Sequence, residues 1–267
     1  MLKALIARAR QGHRTMRYPD AAPPALPALP AHYRGAPKID PSRCPDGCRE
    51  CVDACPTDAI TGLGAGLQID LGRCIFCPEC EAACPEGAIA FTDDYRLAVR
   101  NRDDLQAKAG EERKLADALD AKLRRLFGRS LKLRVVSAGD CNGCAADVNV
   151  LSTIGWDIGR FGIQYVASPR HADGLIIMGP VTENMRLALK KTYDAIPEPK
   201  IVIAIGACAI SGGIYAGHPE QHNGAGSIVP IDLYIPGCPP HPLTILDGML
   251  RLLGKVEAGR VLRPQGK

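Results

Sequence analysis

The sequence predicts an α/β domain with a parallel sheet in its C-terminal half, preceded by a smaller α+β unit. Two observations carry this. From residue 131 onward, short apolar runs alternate with helical segments. Residues 39–91 contain an internal duplication that holds eight of the chain's twelve cysteines. A chain of 267 residues has room for both units.

Taken in order, residues 1–38 open with a basic amphipathic stretch in which Leu2, Leu5, Ile6 and Ala9 fall on one helical face. A Pro-rich arm, Ala21 to Pro30, follows and cannot form regular structure. An apolar face with a positive rim fits an arm laid on a partner or a membrane surface. The duplication comes next. Ile39-Asp40-Pro41-Ser42-Arg43-Cys44 matches Ile69-Asp70-Leu71-Gly72-Arg73-Cys74, and Cys55-Pro56-Thr57-Asp58-Ala59-Ile60 matches Cys84-Pro85-Glu86-Gly87-Ala88-Ile89. The first copy holds one extra residue between Cys44 and Cys48. Gly62 to Gly66 has the wrong spacing for a dinucleotide site and reads as a hairpin loop inside this unit.

Residues 101–127 are highly charged, with Leu115, Leu119, Leu123 and Leu126 spaced as one helix face, which predicts a linker helix. Strands are then expected at Leu131–Val136, Gly174–Met178, Lys200–Ile205 and Leu233–Ile235. Helices are expected at Glu183–Ala195, with Thr182 as N-cap, and at about Leu243–Leu253.

Composition excludes several classes. The net charge of +4 is mild and no basic stretch is interleaved with stacking aromatics, so no nucleic acid is expected as a partner. The longest apolar run, Ile201–Ile210, is too short to span a bilayer. The first ten residues scatter Lys and Arg among the apolar ones, unlike an export signal. A reducing compartment is therefore expected, where clustered cysteines read as metal ligands rather than disulfides.

The first eight cysteines stand as Cys44-x3-Cys48-x2-Cys51-x3-Cys55-Pro56 and Cys74-x2-Cys77-x2-Cys80-x3-Cys84-Pro85. The second is the bacterial ferredoxin run in full, in which the fourth cysteine ligates the other cluster. This spacing predicts a bacterial-ferredoxin-like domain with two [4Fe–4S] clusters. One would be held by Cys44, Cys48, Cys51 and Cys84, the other by Cys55, Cys74, Cys77 and Cys80. The competing reading is two four-cysteine zinc sites.

The remaining four are dispersed: Cys141-Asn142-Gly143-Cys144, Cys208 after Gly206, and Cys238 within Pro236-Gly237-Cys238-Pro239-Pro240. Each follows an expected strand at its C-terminal end, the edge where open α/β sheets bind ligands. Four thiolates can converge there on one cluster. Singly, Cys141 and Cys144 also read as a redox pair, Cys208 as a core thiol, and all four as a zinc site.

Cys-x-x-Cys, then Gly206-x-Cys208-x-x-x-Gly212-Gly213, then Pro-Gly-Cys-Pro-Pro, together with Gly179-Pro180-Val181-Thr182, resembles the small subunit of the [NiFe]-hydrogenase and complex I superfamily over residues 130–255. The resemblance implies a flavodoxin-like α/β fold and a third [4Fe–4S] cluster on Cys141, Cys144, Cys208 and Cys238, facing a large subunit. Complex I subunits carry two adjacent cysteines at the first ligands. Cys141-x-x-Cys144 is instead similar to membrane-bound hydrogenases and formate hydrogenlyase. Those relatives usually place Glu three residues after the second Cys. Here Asp147 stands there, as a proton relay or as a cap of the helix that starts there, its shorter side chain weakening the relay role. The segment before the first ligands, Tyr18-Pro19 and Tyr33 to Pro37, resembles the two-cluster subunit of the same complexes. Two subunits that are usually separate chains look fused here.

The expected organisation is therefore an N-terminal amphipathic helix and arm (1–38), a two-cluster ferredoxin-like domain (39–95), a charged helical linker (96–130) and the α/β domain (131–260). No nucleophile–base pair, phosphate loop or paired-cysteine nickel site stands out. The resemblance implies a non-catalytic electron-transfer subunit with three [4Fe–4S] clusters in a membrane-associated [NiFe]-hydrogenase or formate-hydrogenlyase-like complex. A complex I-like quinone oxidoreductase is the alternative. Implied partners are a hydrogenase-type large subunit, membrane-arm subunits and a further electron-transfer subunit or ferredoxin. The implied location is peripheral, on the cytoplasmic face of the membrane.

Overall fold

The computed structural model describes residues 2–12, 14–18, 29–45, 47–257 and 260–261; most of the Pro-rich arm, residues 21–28, lies outside the described residues. Helix α1 spans Leu2–Gln11 and buries none of its residues. The first half then forms two small antiparallel sheets around two short helices. Strand β1 (Pro37–Ile39) precedes α2 (Glu50–Asp53) and β2 (Ile60–Thr61). The second copy repeats this as β3 (Gln68–Asp70), α3 (Glu79–Ala83) and β4 (Ile89–Phe91). β1 pairs with β4, and β2 with β3 across the Gly62–Gly66 loop, as expected for a duplicated unit whose ends close on each other. Both short helices start with acidic residues, Glu50 in one and Glu79 in the other, which suits the positive end of the helix dipole.

The expected linker helix is confined to α4 (Ala121–Phe127); before it, Gln106–Lys108 forms β5, the third strand of the β2–β3 sheet. Residues 109–120 contain no helix. There the Ala116 N–H donates to Ala98 O at 2.8 Å and the Leu119 N–H to Leu252 O at 2.9 Å. Those donors bond to distant segments, one in each half, instead of back along a helix, and Ala116 and Leu119 are buried as an extended strap. Helical spacing of leucines cannot distinguish the two when tertiary bonds compete.

Strand β6 (Leu131–Ser137) begins the larger sheet, followed by α5 (Gly143–Val150), β7 (Ile163–Tyr165), β8 (Gly174–Met178), α6 (Glu183–Asp194), β9 (Ile201–Ile205), α7 (Ala207–Ser211), β10 (Leu233–Ile235) and α8 (Pro242–Leu252). All pairings in this sheet are parallel and the order is β10-β9-β8-β6-β7. Counted within this half, that is 2-1-3-4-5, the doubly wound order of flavodoxin-like folds, with its switch point between β6 and β8. β8 and β9 are buried at every residue, the mark of a parallel sheet covered on both faces. One face packs Ile176, Met178 and Ile203 against α8, and the other packs Leu175, Ile177 and Val202 against Leu189 of α6.

The two halves share one core. Ala204, Ala209 and Ile210 of the sheet half cluster with Ile60, Ile69 and Leu105 of the first. Val99 pairs with Tyr234 of β10 through two backbone hydrogen bonds, extending the sheet edge with a segment from the first half. The N-terminal arm is pinned as well. Met16 N–H donates to Gly155 O at 2.8 Å, and Arg160 donates to the carbonyls of Met16 and Tyr18.

A candidate metal centre of three thiol sets

All twelve cysteines are free, and the fold gathers them in three groups. In the first half, burial raises the Cys51 thiol, with Cys84, Cys44 and Cys48 adding to it. Burial pushes Cys74 up to about 12, opposed by a hydrogen bond from the Phe76 N–H, with Cys80, Cys55 and Cys77 around it. The fourth cysteine of each run thus sits with the first three of the other. The copies also match in detail. Ala59 N–H donates to Cys55 Sγ at 3.3 Å, and Ala88 N–H donates to Cys84 Sγ at 3.1 Å.

The third group lies at the carboxyl edge of the parallel sheet. Cys141 and Cys144 follow β6, Cys208 lies in α7 after β9, and Cys238 follows β10. Burial raises the Cys144 thiol strongly, with Cys208, Cys238, Asp140 and Cys141 adding to it. Burial pushes Cys208 up to about 11, with Cys238, Cys141 and Asp140 next. Cys141 and Cys238 present exposed edges, although enough protein surrounds Cys238 for burial to raise its thiol too. Raised thiol pKa values mean neutral thiols in the bare protein, so binding metal must displace protons.

The three groups adjoin one after another. Cys80 of the second feels Cys51 of the first, and Cys238 of the third feels Cys77 of the second.

Backbone is cut away where these thiols stand. A Cβ on Gly206, whose φ is +89°, would lie 2.5 Å from Cys144 Sγ, and one on Gly213 would lie 2.8 Å from Cys208 Sγ. Cβ atoms do not tolerate such approaches, so glycine is required for these sulfurs to reach their positions. The donor chemistry, four thiols per group with glycine-cleared surroundings, fits an iron–sulfur cluster.

Asp147 stands one turn along α5 from Cys144, and burial raises its carboxyl. It is not the helix cap: Asn142 holds that position, in a left-handed conformation with φ 75°. Asp147 lines a cavity of about 270 Å3 with Cys238, His241, Tyr33 and Phe76, between the two halves. Sequence reasoning missed Asp140. It accepts hydrogen bonds from Ser137 Oγ and the Asn142 N–H and lies within the electrostatic reach of Cys144 and Cys208. The only signal was its place directly before Cys141.

Three thiol sets, one of them at the carboxyl edge of a doubly wound sheet, fit an iron–sulfur protein. Comparison with known proteins agrees. Residues 141–252 match the family described as NADH ubiquinone oxidoreductase, 20 kDa subunit, and residues 43–88 match a 4Fe–4S dicluster domain. A "Probable membrane-bound hydrogenase subunit" of Pyrococcus furiosus is 40% identical over 58% of this chain and 95% of its own length. Formate hydrogenlyase subunit 7 of Escherichia coli is 41% identical over 52% of this chain and 55% of its own. An NADH-quinone oxidoreductase subunit of Clostridium beijerinckii is 44% identical over 44% of this chain and 72% of its own. The chain belongs to the family of the 20 kDa subunit of NADH ubiquinone oxidoreductase.

Proposed function

We propose that the chain is a non-catalytic electron-transfer subunit of a membrane-associated [NiFe]-hydrogenase or formate-hydrogenlyase-like complex, relaying electrons to or from a nickel site in a large subunit. Three [4Fe–4S] clusters would be held by Cys44, Cys48, Cys51 and Cys84, by Cys55, Cys74, Cys77 and Cys80, and by Cys141, Cys144, Cys208 and Cys238. The clusters supply one-electron transfer when bound. The observation that carries the reading is the succession of the three thiol sets: Cys51, Cys74 and Cys80 share one core cluster, and the loop leading to Cys74 is tied to the helix of Cys208 by the Ser211 Oγ to Gly72 O hydrogen bond at 2.8 Å. A chain of sites serves passage, whereas isolated structural metals need no such succession.

The spacing favours clusters over zinc: three cysteines close together followed by Cys-Pro, twice, in a duplicated unit is the bacterial ferredoxin run, which four-cysteine zinc modules rarely need.

The third set would face the large subunit: Cys141 and Cys238 are exposed there, and Ile214 and Tyr215, just after α7, add exposed apolar surface. The exposed loop of Cys44 and Cys48 would receive a further electron-transfer subunit or ferredoxin. Asp147, beside the Cys238 cavity, is the group that would accept a proton on its carboxylate. The second reading is a complex I-like enzyme in which the last site serves quinone, and the Cys141-x-x-Cys144 spacing argues against it. Purification of the native complex with metal analysis separates the two. Nickel in the co-purifying large subunit is expected, and full iron without nickel would overturn the hydrogenase reading in favour of quinone.

The location would be peripheral, on the cytoplasmic face, against membrane-arm subunits. Among the described residues no helix is long and apolar enough to cross a membrane. Helix α1 exposes Leu2, Leu5 and Ile6 on one face, and Lys3, Arg10, Arg14 and Arg17 supply positive charge with no acidic residue before Asp20. That pattern suits an anionic surface. The purified chain should float with vesicles of phosphatidylcholine and phosphatidylglycerol, and Leu5→Asp should abolish this. Equal flotation of both proteins would show that α1 is not the contact.

A further inference from the structure

Among the positions at which the two copies of the duplication differ, one lies where the second copy meets the α/β half. Ser42 in the first corresponds to Gly72 in the second. Both stand in the same turn, since Asp40 Oδ1 accepts the Ser42 N–H at 3.1 Å and Asp70 Oδ1 accepts the Gly72 N–H at 2.8 Å. Their surroundings differ: Ser42 is exposed, whereas Gly72 is buried against the α/β half. Its carbonyl accepts a hydrogen bond from Ser211 Oγ at 2.8 Å. That hydroxyl also lies 3.1 Å from Ala207 O, so its one proton is shared between a carbonyl of its own helix and the docking loop.

Glycine at 72 is demanded by closeness, not by backbone conformation, because its φ lies outside the left-handed region. A Cβ there would stand 2.8 Å from Ile210 Cγ2 and 2.8 Å from Arg102 Cζ. A guanidinium tip would ordinarily swing aside. This one is clamped, with two hydrogen bonds to Asp70 at 2.8 and 2.6 Å. Gly72 lies two residues before Cys74, and Ser211 three residues after Cys208. One close contact therefore ties the ligand loop of the second thiol set to the ligand helix of the third.

We propose that Gly72 and Ser211 are positioning residues: their joint sets the separation between the second and third cluster sites, and with it the rate of electron passage between them. The inference rests on the three-cluster reading. Electron transfer falls steeply with distance, so a shift at this joint would be felt by the relay.

The test uses the anaerobically reconstituted full-length chain, its iron content, and the electron paramagnetic resonance splitting between adjacent clusters after dithionite reduction. Gly72→Ala should keep wild-type iron yet lose most of the splitting, and adding Ile210→Ala, which removes the clashing methyl, should restore it. Ser211→Ala should weaken the splitting without a steric push. If Gly72→Ala loses iron, Ser211→Ala decides by the same measurement. Unchanged splitting in either variant at full iron would overturn the joint while leaving the three-cluster reading intact. A wild-type chain that takes up no iron would sink both.

Discussion

Replacing Asp247 by alanine is expected to destabilise the chain by about 3–5 kcal/mol, the cost of leaving one partner of a buried ion pair uncompensated. Asp247 is 1% exposed and Arg251, one turn along α8, is 4% exposed. Arg251 Nε donates to Asp247 Oδ2 at 2.7 Å, and Tyr18 Oη donates to Oδ1 at 2.8 Å. Removing the carboxylate strands a guanidinium inside the protein and breaks one of the bonds that fasten the N-terminal arm. Burial, with the Asp247 charge next in effect, raises the Tyr18 phenol far above its ordinary range. Tyr18 therefore stays a donor at any practical pH. Tyr18→Phe should cost less, about 1.5–3 kcal/mol for a hydrogen bond to a charged group, because the ion pair survives. Guanidinium unfolding of both variants checks the order. A loss below about 1 kcal/mol for Asp247→Ala would mean that the site relaxes to admit water, and the arm would not depend on it.

Cys208→Ala is expected to remove about four of about twelve iron atoms per chain, one cubane's worth, and leave the two ferredoxin-type sites filled. The set it belongs to draws its thiols from three separate strand ends, so losing one would leave three. Gly206→Ala should cause the same loss with every ligand still present, because its Cβ would press on Cys144 Sγ at 2.5 Å from a backbone with φ +89°. Iron and acid-labile sulfide analysis, with low-temperature paramagnetic resonance, reads both variants. Full iron in Cys208→Ala would remove that residue from the ligand set. Full iron in Gly206→Ala alone would mean the glycine is not needed for the thiol's position.

Much of this was legible in the sequence because it is local. The duplicated cysteine runs, the β2–β3 loop and the strands β6, β8, β9 and β10 each announce themselves within about ten residues of chain. The convergence of Cys141, Cys144, Cys208 and Cys238 followed from a rule of topology, that loops at the carboxyl ends of parallel strands meet. What escaped depends on distant partners. The strap over 109–120 is extended because its N–H groups find Ala98 and Leu252, which leucine spacing cannot reveal. Strand β7 is three residues long at the sheet edge and too brief for a pattern. The Tyr18–Asp247 bond spans 229 residues, and the Ser211–Gly72 bond 139. Gly72 itself was visible as a mismatch within the repeat, but its meaning required knowing what stands over it.

The most direct test of the three-site relay is iron and acid-labile sulfide per full-length chain, counted beside zinc in the same anaerobic preparation. About twelve iron and twelve sulfide per chain, with three reducible paramagnetic species, is the expected result for three cubanes. Stoichiometric zinc in place of iron, or about eight iron with the Cys141, Cys144, Cys208 and Cys238 set vacant, would contradict it.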